Sequence, residues 1–357
     1  MTARRTLDVL IVSPGATLGL RRAAHELAGS LQGLGYDVDV LLLRETDGWS
    51  PPGWLPNAAG ELFEAAALRR KTLRALKEVD VRSLVYGTSI ATVFQPRACV
   101  ARAAVWMDQP ASVNRRGLRN APQRLLERRQ LERARLLLPW SRLGAEHLRA
   151  RYRTPVVPLP PPVAPSAAAG ERRDRAICYA GNPEKKGLDL IVRAFALAGI
   201  SRAELLVAGI DERSARSFLE RRSVDVPAGV RFVGCLSSGE FRRAVAESAV
   251  YVSAARREEY GIALLEALAD GTLLVALPPA WTIEPIELGR DLDPELVTRV
   301  RSVEALAASL GRAFAYSEEE RLAYQRRATR ALRQESSAEL QRRLREEVLP
   351  LLLEGGS

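Results

Sequence analysis

The sequence predicts an α/β protein built from two doubly wound domains. Three observations carry that reading: the length of the chain, a repeated alternation of apolar strands with amphipathic helices, and a proline-rich break near the middle. At 357 residues the chain exceeds one ordinary core and suggests two domains of about 150 residues each. A hydrophobic content of 47% supplies both cores.

The first half opens as strand, helix, strand. Leu7 to Val12 reads as a strand, and Ser13-Pro14-Gly15-Ala16-Thr17-Leu18-Gly19 as a loop. Leu20, Ala24, Leu27, Leu31 and Leu34 then repeat at the spacing of a helix with one buried face. Gly35 stops that helix, and Tyr36 to Leu43 is the next strand. A Trp/Pro-rich loop, Trp49 to Pro56, precedes a helix over Leu62 to Leu76. Short strands follow at Leu84 to Tyr86 and Ala103 to Met107, then a basic helix over Arg119 to Arg135 and a strand at Leu136 to Leu138. Six prolines fall between Pro155 and Pro165, and Ser166-Ala167-Ala168-Ala169-Gly170 comes after them. Such density marks a semi-rigid connection. The expected division is 1–160, 161–335 and a C-terminal helix over 336–357 that packs back across the domains.

The second half alternates more regularly. Strands are expected at Ala176 to Ala180, Ala203 to Ala208, Val230 to Cys235, Ala249 to Ala254 and Thr272 to Leu277. Helices lie between them, and three more cover Ser302 to Tyr316, Ser317 to Gln334 and Ala338 to Leu353. Regular alternation implies parallel sheets covered on both faces.

Composition excludes several classes. Cys99, Cys178 and Cys235 form no CxxC pair, which fits a reducing cytoplasm and argues against a metal site or a disulfide framework. Met1 to Pro14 has only a short apolar run containing Asp8, as in a first strand and unlike a signal peptide. No stretch reaches the ~18 apolar residues of a membrane span. The expectation is a cytoplasmic protein, soluble or peripheral at the inner face of a membrane.

The net charge is 53 minus 43, or +10. Only Lys71, Lys77, Lys185 and Lys186 are lysines, and such an arginine bias follows as readily from a GC-rich genome as from function. Distribution is more telling. Val113 to Arg153 holds twelve arginines and three glutamates, a balance of +9. This segment is either an ordinary solvated helix face or a surface for an anionic membrane, where each cation contributes about 1 kcal/mol. Nucleic acid is an unlikely partner, because aromatic residues are not interleaved with these arginines as stacking platforms require.

The most informative segment is Arg257-Glu258-Glu259-Tyr260-Gly261-Ile262-Ala263-Leu264-Leu265-Glu266-Ala267-Leu268-Ala269-Asp270-Gly271. Glu258 and Glu266 are separated by seven residues, with Gly261 between them where a helix begins. Glu258 thus sits on a loop at a strand's carboxyl end, the place where ligands bind in open parallel sheets. A second motif, Gly181-Asn182-Pro183-Glu184-Lys185-Lys186-Gly187-Leu188-Asp189-Leu190, follows the second half's first strand.

With the strands Leu205 to Gly209 and Val230 to Gly234, these motifs resemble family 4 of the glycosyltransferases. The resemblance is strong over about 176–277 and diffuse in the first half. It implies the GT-B architecture: two Rossmann-like domains facing a cleft, with C-terminal helices. It also implies transfer of a sugar from a nucleotide sugar, with retention and without a metal ion or other cofactor. The donor would lie against the second domain, and a glycan or lipid-linked acceptor would enter from the first.

Residue by residue, Glu266 matches the acid that takes the ribose hydroxyls, a role suited to an acceptor-only carboxylate. Otherwise it shares a solvated helix face with Glu259, Ala263 and Asp270. Glu258 matches the acid beside the donor sugar, with Glu259 as its rival. The N–H groups of Gly261 and Ile262 would hold the diphosphate at a helix start. Lys186 matches the lysine that stabilises the leaving diphosphate, while Lys185 is free to be solvated. The family's neighbouring arginine is replaced here by Asn182, in a loop one residue shorter, and the needed charge could come from another arginine.

In the first half, Gly15 to Gly19 partly resembles the family's glycine-rich loop, which makes Gly19 a donor-site candidate. Met107-Asp108-Gln109-Pro110 stands where relatives often carry His-Asp-x-Pro, so Met107 replaces the usual histidine. Asp108 remains as a polar group for acceptor or donor sugar, or else as a helix N-cap or turn aspartate. His25 and His147 read as structural. The expected function is a retaining glycosyltransferase of cell-envelope or exopolysaccharide biosynthesis. Its rivals are a catalytically impaired partner protein and a nucleotide-sugar epimerase of the same fold.

Overall fold

The computed structural model describes residues 4–43, 57–114, 117, 120–166 and 172–354. The Trp49–Pro56 loop, Arg115, Arg116, Arg119 and linker residues 167–170 lie outside them. The chain divides into two compact units, Met1–Pro162 with Glu335–Ser357, and Val163–Gln334.

The first unit carries five parallel strands, β1 (Arg5–Ser13), β2 (Val38–Leu42), β3 (Val79–Tyr86), β4 (Ala103–Met107) and β5 (Leu136–Pro139), in the order β2-β1-β3-β4-β5. The run Val9 to Val12 is buried on both faces, as a central strand of a covered parallel sheet requires. Leu10, Leu84, Val105 and Leu137 meet in the core on one side, with Met107 among them.

Several elements differ from the sequence expectation, each for a local reason. The first helix starts at Leu18, because the Thr17 hydroxyl caps it by accepting from Leu20 N–H at 3.2 Å. The basic helix spans only Ala121–Leu131 and has Pro122 in its first turn, a position where proline begins helices. The C-terminal segment is α-helical over Ser337–Arg343 and then widens into π-helical turns. Pro350 has no N–H to continue the ladder there. This tail belongs to the first unit: Arg82 and Ser83 donate to the carbonyls of Leu353 and Leu352, at 3.1 Å each.

In the second unit the strands are β6 (Arg173–Tyr179), β7 (Glu204–Ala208), β8 (Val230–Gly234), β9 (Ser248–Ser253) and β10 (Leu273–Ala276), in the order β10-β9-β6-β7-β8. All pairs are parallel. Chain order runs outward from β6 in both directions, so the topology reverses between β6 and β9. Their register pairs Ala176 with Val250 and Ile177 with Tyr251. The loops leaving these two strands therefore emerge side by side, where a doubly wound sheet opens a crevice.

Gly187 closes that junction. Its φ is +69°, and a Cβ there would lie 2.1 Å from the Ala254 carbonyl oxygen. A left-handed conformation costs a non-glycine residue ~1–2 kcal/mol, and a backbone carbonyl cannot swing aside as a side chain would. Gly187→Ala should therefore destabilise the protein by more than ~3 kcal/mol. Urea denaturation checks this, and a wild-type midpoint would refute the packing argument.

Candidate donor site

The two motifs singled out in the sequence meet at this crevice. The first forms a short helix, Pro183–Lys186, which the Asn182 side chain caps by accepting from Lys185 N–H at 2.9 Å. Asn182 thus shapes the loop, and its carbonyl oxygen is engaged in the cap. Lys186 Nζ reaches Glu258 at 2.5 Å, and Lys185 Nζ reaches Glu259 at 2.5 Å. Glu258 and its rival Glu259 are thereby each matched to one lysine. Lys185 is not simply solvated.

The loop after β9 is held from below. Arg256 donates to both carboxylate oxygens of Asp189, at 2.9 and 2.7 Å, and to Glu184 O at 2.8 Å. Arg301 donates to the carbonyls of Ala254 at 2.8 Å and Ala255 at 3.2 Å. Burial raises the Asp189 pKa, but the Arg256 hydrogen bonds and charge more than reverse this, leaving it below the ordinary value.

Gly261 ends the loop with φ +87° and serves as the N-cap of the helix Ile262–Ala269. No side-chain hydrogen bond caps this helix. The expectation that Gly261 and Ile262 start a helix at this point holds, and such a start favours anions.

Glu266 lies one turn further on and is only 7% exposed. The solvated-face alternative fails for it and for Asp270, which is 8% exposed. Arg242, on the helix Ser238–Ala246, explains both. Its Nη2 donates to Asp270 Oδ1 at 2.8 Å, and its Nη1 lies 3.5 Å from Glu266 Oε1. The latter contact is an ion pair too long for a hydrogen bond, and Nη1 has no hydrogen-bond partner. Tyr251 of β9 feels the charge of both Glu258 and Glu266, and its phenol is kept well above its ordinary pKa by burial first and then by Glu258.

Two of these groups escaped sequence reading. Arg242 shares a helical stripe with the buried Val245 and Ala246, and a cation on an apolar stripe signals a buried acid to be met. Tyr179 ends β6 with its ring 5.9 Å from Lys186 Nζ and edge-on to Phe241 at 5.7 Å. No pattern in the sequence marks it.

The remaining candidates belong to the first unit. Gly19 sits inside the first turn of the helix Leu18–Gly33 rather than in a loop. Asp108 follows β4, and its Oδ1 accepts from Gln109 N–H at 2.7 Å. It does not cap the next helix, since Ala111 N–H donates instead to Glu127 at 2.7 Å. Met107 is fully buried and packs in the core. Among the described residues, no group of three His, Cys, Asp or Glu side chains converges as metal ligands do.

Residues 174–315 match the family model for group 1 glycosyl transferases. That segment is a group 1 glycosyltransferase domain. No curated protein sequence matches it. Among solved structures, a sucrose-phosphate synthase from Thermosynechococcus elongatus superimposes with a TM-score of 0.73 at 16% identity, covering 99% of this chain and 100% of that one. An Anabaena protein in complex with UDP and glucose gives 0.67 at 13% identity, covering 96% and 99%. An α,α-trehalose-phosphate synthase (UDP-forming) from Burkholderia xenovorans, in complex with glucose-6-phosphate, gives 0.64 at 15%, also covering 96% and 99%. At these identities the likeness shows the fold, which is GT-B.

The Asp189–Arg256 pair makes a pH-dependent contribution to the stability of this domain. A carboxyl whose folded pKa is depressed stabilises fully above its unfolded value, about 3.9, and less as pH falls through the folded value. Asp189→Asn should cost roughly 2 kcal/mol near neutrality, less than for a fully buried pair because Arg256 is partly exposed. The wild-type advantage should shrink as pH falls from neutrality through about 4 and below. Urea midpoints at both ends test this, and an advantage that grows on acidification would overturn it.

Proposed function

We propose that the protein transfers a sugar from a nucleotide sugar to a glycan or lipid-linked acceptor, with retention of anomeric configuration. The observation that carries this reading is the convergence of Lys186, Glu258, the uncapped helix start at Gly261 and Ile262, and buried Glu266 at the topological reversal of the second unit. In this reading Glu266 accepts the ribose hydroxyls. Charge-assisted hydrogen bonds of that kind contribute about 1.5–3 kcal/mol each, and Arg242 places a cation 3.5 Å from the buried carboxylate. Glu258 faces the sugar. Lys186 and the Gly261 and Ile262 N–H groups balance the negative charge growing on the departing diphosphate, a preorganised electrostatic stabilisation.

Retention follows from front-face attack, in which the leaving phosphate itself takes the acceptor's proton. Every charge this step needs is supplied by the chain, so the reaction is proposed to proceed without a metal ion or other cofactor. Asp108 is assigned a polar contact with acceptor or sugar, and Gly19 a contact with the donor phosphates. UDP-sugars are the first donors to try, since one similar structure holds UDP with glucose and another is named as UDP-forming.

The setting proposed is cell-envelope or exopolysaccharide synthesis in the cytoplasm, with the arginines of 113–153 touching an anionic inner membrane surface. No helix among the described residues is long and apolar enough to cross a membrane, so that contact would be peripheral.

Glu266→Ala and Lys186→Ala should each remove most turnover of a donor that the wild type uses. At ~3 kcal/mol of lost transition-state stabilisation the rate falls on the order of a hundredfold. Coupled detection of released nucleoside diphosphate measures it. Wild-type rates in both variants would sink the assignment.

A further inference from the structure

The first unit contains a cavity of about 410 Å³ lined by Ser112, Arg124, Leu125, Arg128, Arg151 and Tyr152. Three separate stretches build it: the helix Ala111–Asn114, one face of the helix Ala121–Leu131, and the turn after the helix Arg142–Arg149. Arg124 and Arg128 share that face because they are four residues apart.

The polar lining has a common character. Guanidinium groups only donate hydrogen bonds. Arg151 Nη1 lies 3.2 Å from His147 Nδ1, so Nδ1 must be the acceptor and the ring proton sits on Nε2. That Nε2–H then donates to Ser112 Oγ at 2.9 Å. The Ser112 hydroxyl keeps its own proton for another partner. Burial, and then the charge of Arg151, hold His147 below its ordinary pKa, which preserves this neutral tautomer. Tyr152 is likewise kept protonated, pushed up to about 12 by burial first and then by Glu127.

Two acids adjoin the lining, and one of them already pairs with a lining arginine, so a dianion would have to compete for that arginine. Glu127 is buried and accepts from Ala111 N–H, and Glu132 pairs with Arg128 one turn along the same helix at 2.8 Å. Arg124 donates to Gly117 O at 2.7 Å through Nη1, which fixes one end of its fork beside the cavity. Donors from three directions suit a dianion with several acceptor oxygens, and a space of this size leaves room for part of the molecule that carries it. A flat surface of arginines would attract an anionic membrane diffusely, whereas a lined cavity selects one group.

We propose that this cavity binds a phosphate monoester carried by the acceptor. The acceptor role rests on the transferase reading above, whereas the binding does not. The phosphate arrives either on a soluble sugar or on a lipid. Leu125, apolar and half exposed at the rim, would meet the carrier.

The test measures binding of inorganic phosphate, glycerol 3-phosphate and glycerol by titration calorimetry, and of phosphatidylcholine vesicles with and without phosphatidic acid by flotation. The wild type should bind a phosphate monoester in at least one carrier form and ignore glycerol and neutral vesicles. Arg128→Gln with Arg151→Gln should weaken that binding at least ~tenfold, the factor of one charge-assisted hydrogen bond. Both side chains are exposed enough to be replaced without unfolding. Arg129→Gln with Arg133→Gln, exposed on the same segment but outside the lining, should leave it unchanged. Loss in soluble titrations assigns a soluble carrier, and loss in flotation alone assigns a lipid; either supports the site. Equal loss in both double variants, or no phosphate binding in either format, overturns it. Uridine, guanosine, adenosine and deoxythymidine diphosphates are titrated in parallel. A wild type that binds phosphate monoester but none of these four diphosphates would uphold this site while overturning the donor reading.

Discussion

The pairing of β6 with β9 is the constraint on which the candidate donor site depends. These strands are far apart in the chain yet adjacent in the sheet, because chain order reverses between them. Their C-terminal loops carry the two motifs, and nothing but this pairing brings Lys186 to Glu258. The approach is closer than side chains allow. Gly187 lies against the Ala254 carbonyl, and Arg256 N–H donates to Lys185 O at 2.8 Å. With the backbones locked at this distance, the two lysines and two glutamates pair in parallel, 186 with 258 and 185 with 259. A bulkier residue at 187 would separate all four.

Arginines complete the same arrangement from beneath, and this qualifies the composition argument. A bias toward arginine over lysine needs no functional cause, but particular positions use the guanidinium fork as lysine could not. Arg256 grips both oxygens of Asp189, Arg301 bridges successive carbonyls of the loop after β9, and Arg242 addresses Glu266 and Asp270 at once. A single ammonium is a point charge and cannot span two acceptors in one plane. Burying a carboxylate is costly unless a cation shares its burial, and Arg242 is buried beside Glu266. The carboxylate expected to recognise a donor is thus maintained by a residue that never needs to touch it.

Legibility in the sequence followed the range of the interactions. The strands were readable because parallel strands buried on both faces are continuous apolar runs; Ala103 to Met107 matches β4 residue for residue. Helix ends were less so, since they turn on single caps: Thr17 drew the first helix two residues earlier, and Pro122 shortened the basic one. Within the site, spacing and resemblance picked out Glu258, Glu266, Lys186 and Gly261, which lie in two compact motifs. They could not show that Lys185 pairs with Glu259, or that Asp270 is buried, because those facts depend on a strand pairing across some seventy residues and on a third helix carrying Arg242. Asp108 and Gly19 were the least readable, as their motifs depart from the family pattern. Each has a local role in the fold, Asp108 in a bond to the adjacent N–H and Gly19 in a first helical turn.

The departure at Asn182 sharpens what the leaving group would meet. Relatives by resemblance carry an arginine there, and this chain could have supplied the lost charge from a neighbour. The guanidinium on the facing loop, Arg256, is instead committed to Asp189 and the Glu184 carbonyl. Asn182 commits its side-chain oxygen to the turn that aims Lys186. If a diphosphate departs from this crevice as proposed, its charge falls chiefly on Lys186 and on the helix start after Gly261. Lys186 then has to exchange a monovalent carboxylate for a more highly charged phosphate, a change that Coulomb's law favours at equal distance. The Lys186–Glu258 pair would in that case be the resting arrangement of the site. Glu258 would be released toward the sugar at the moment the lysine turns to the phosphate, coupling recognition of the two halves of the donor through one ion pair.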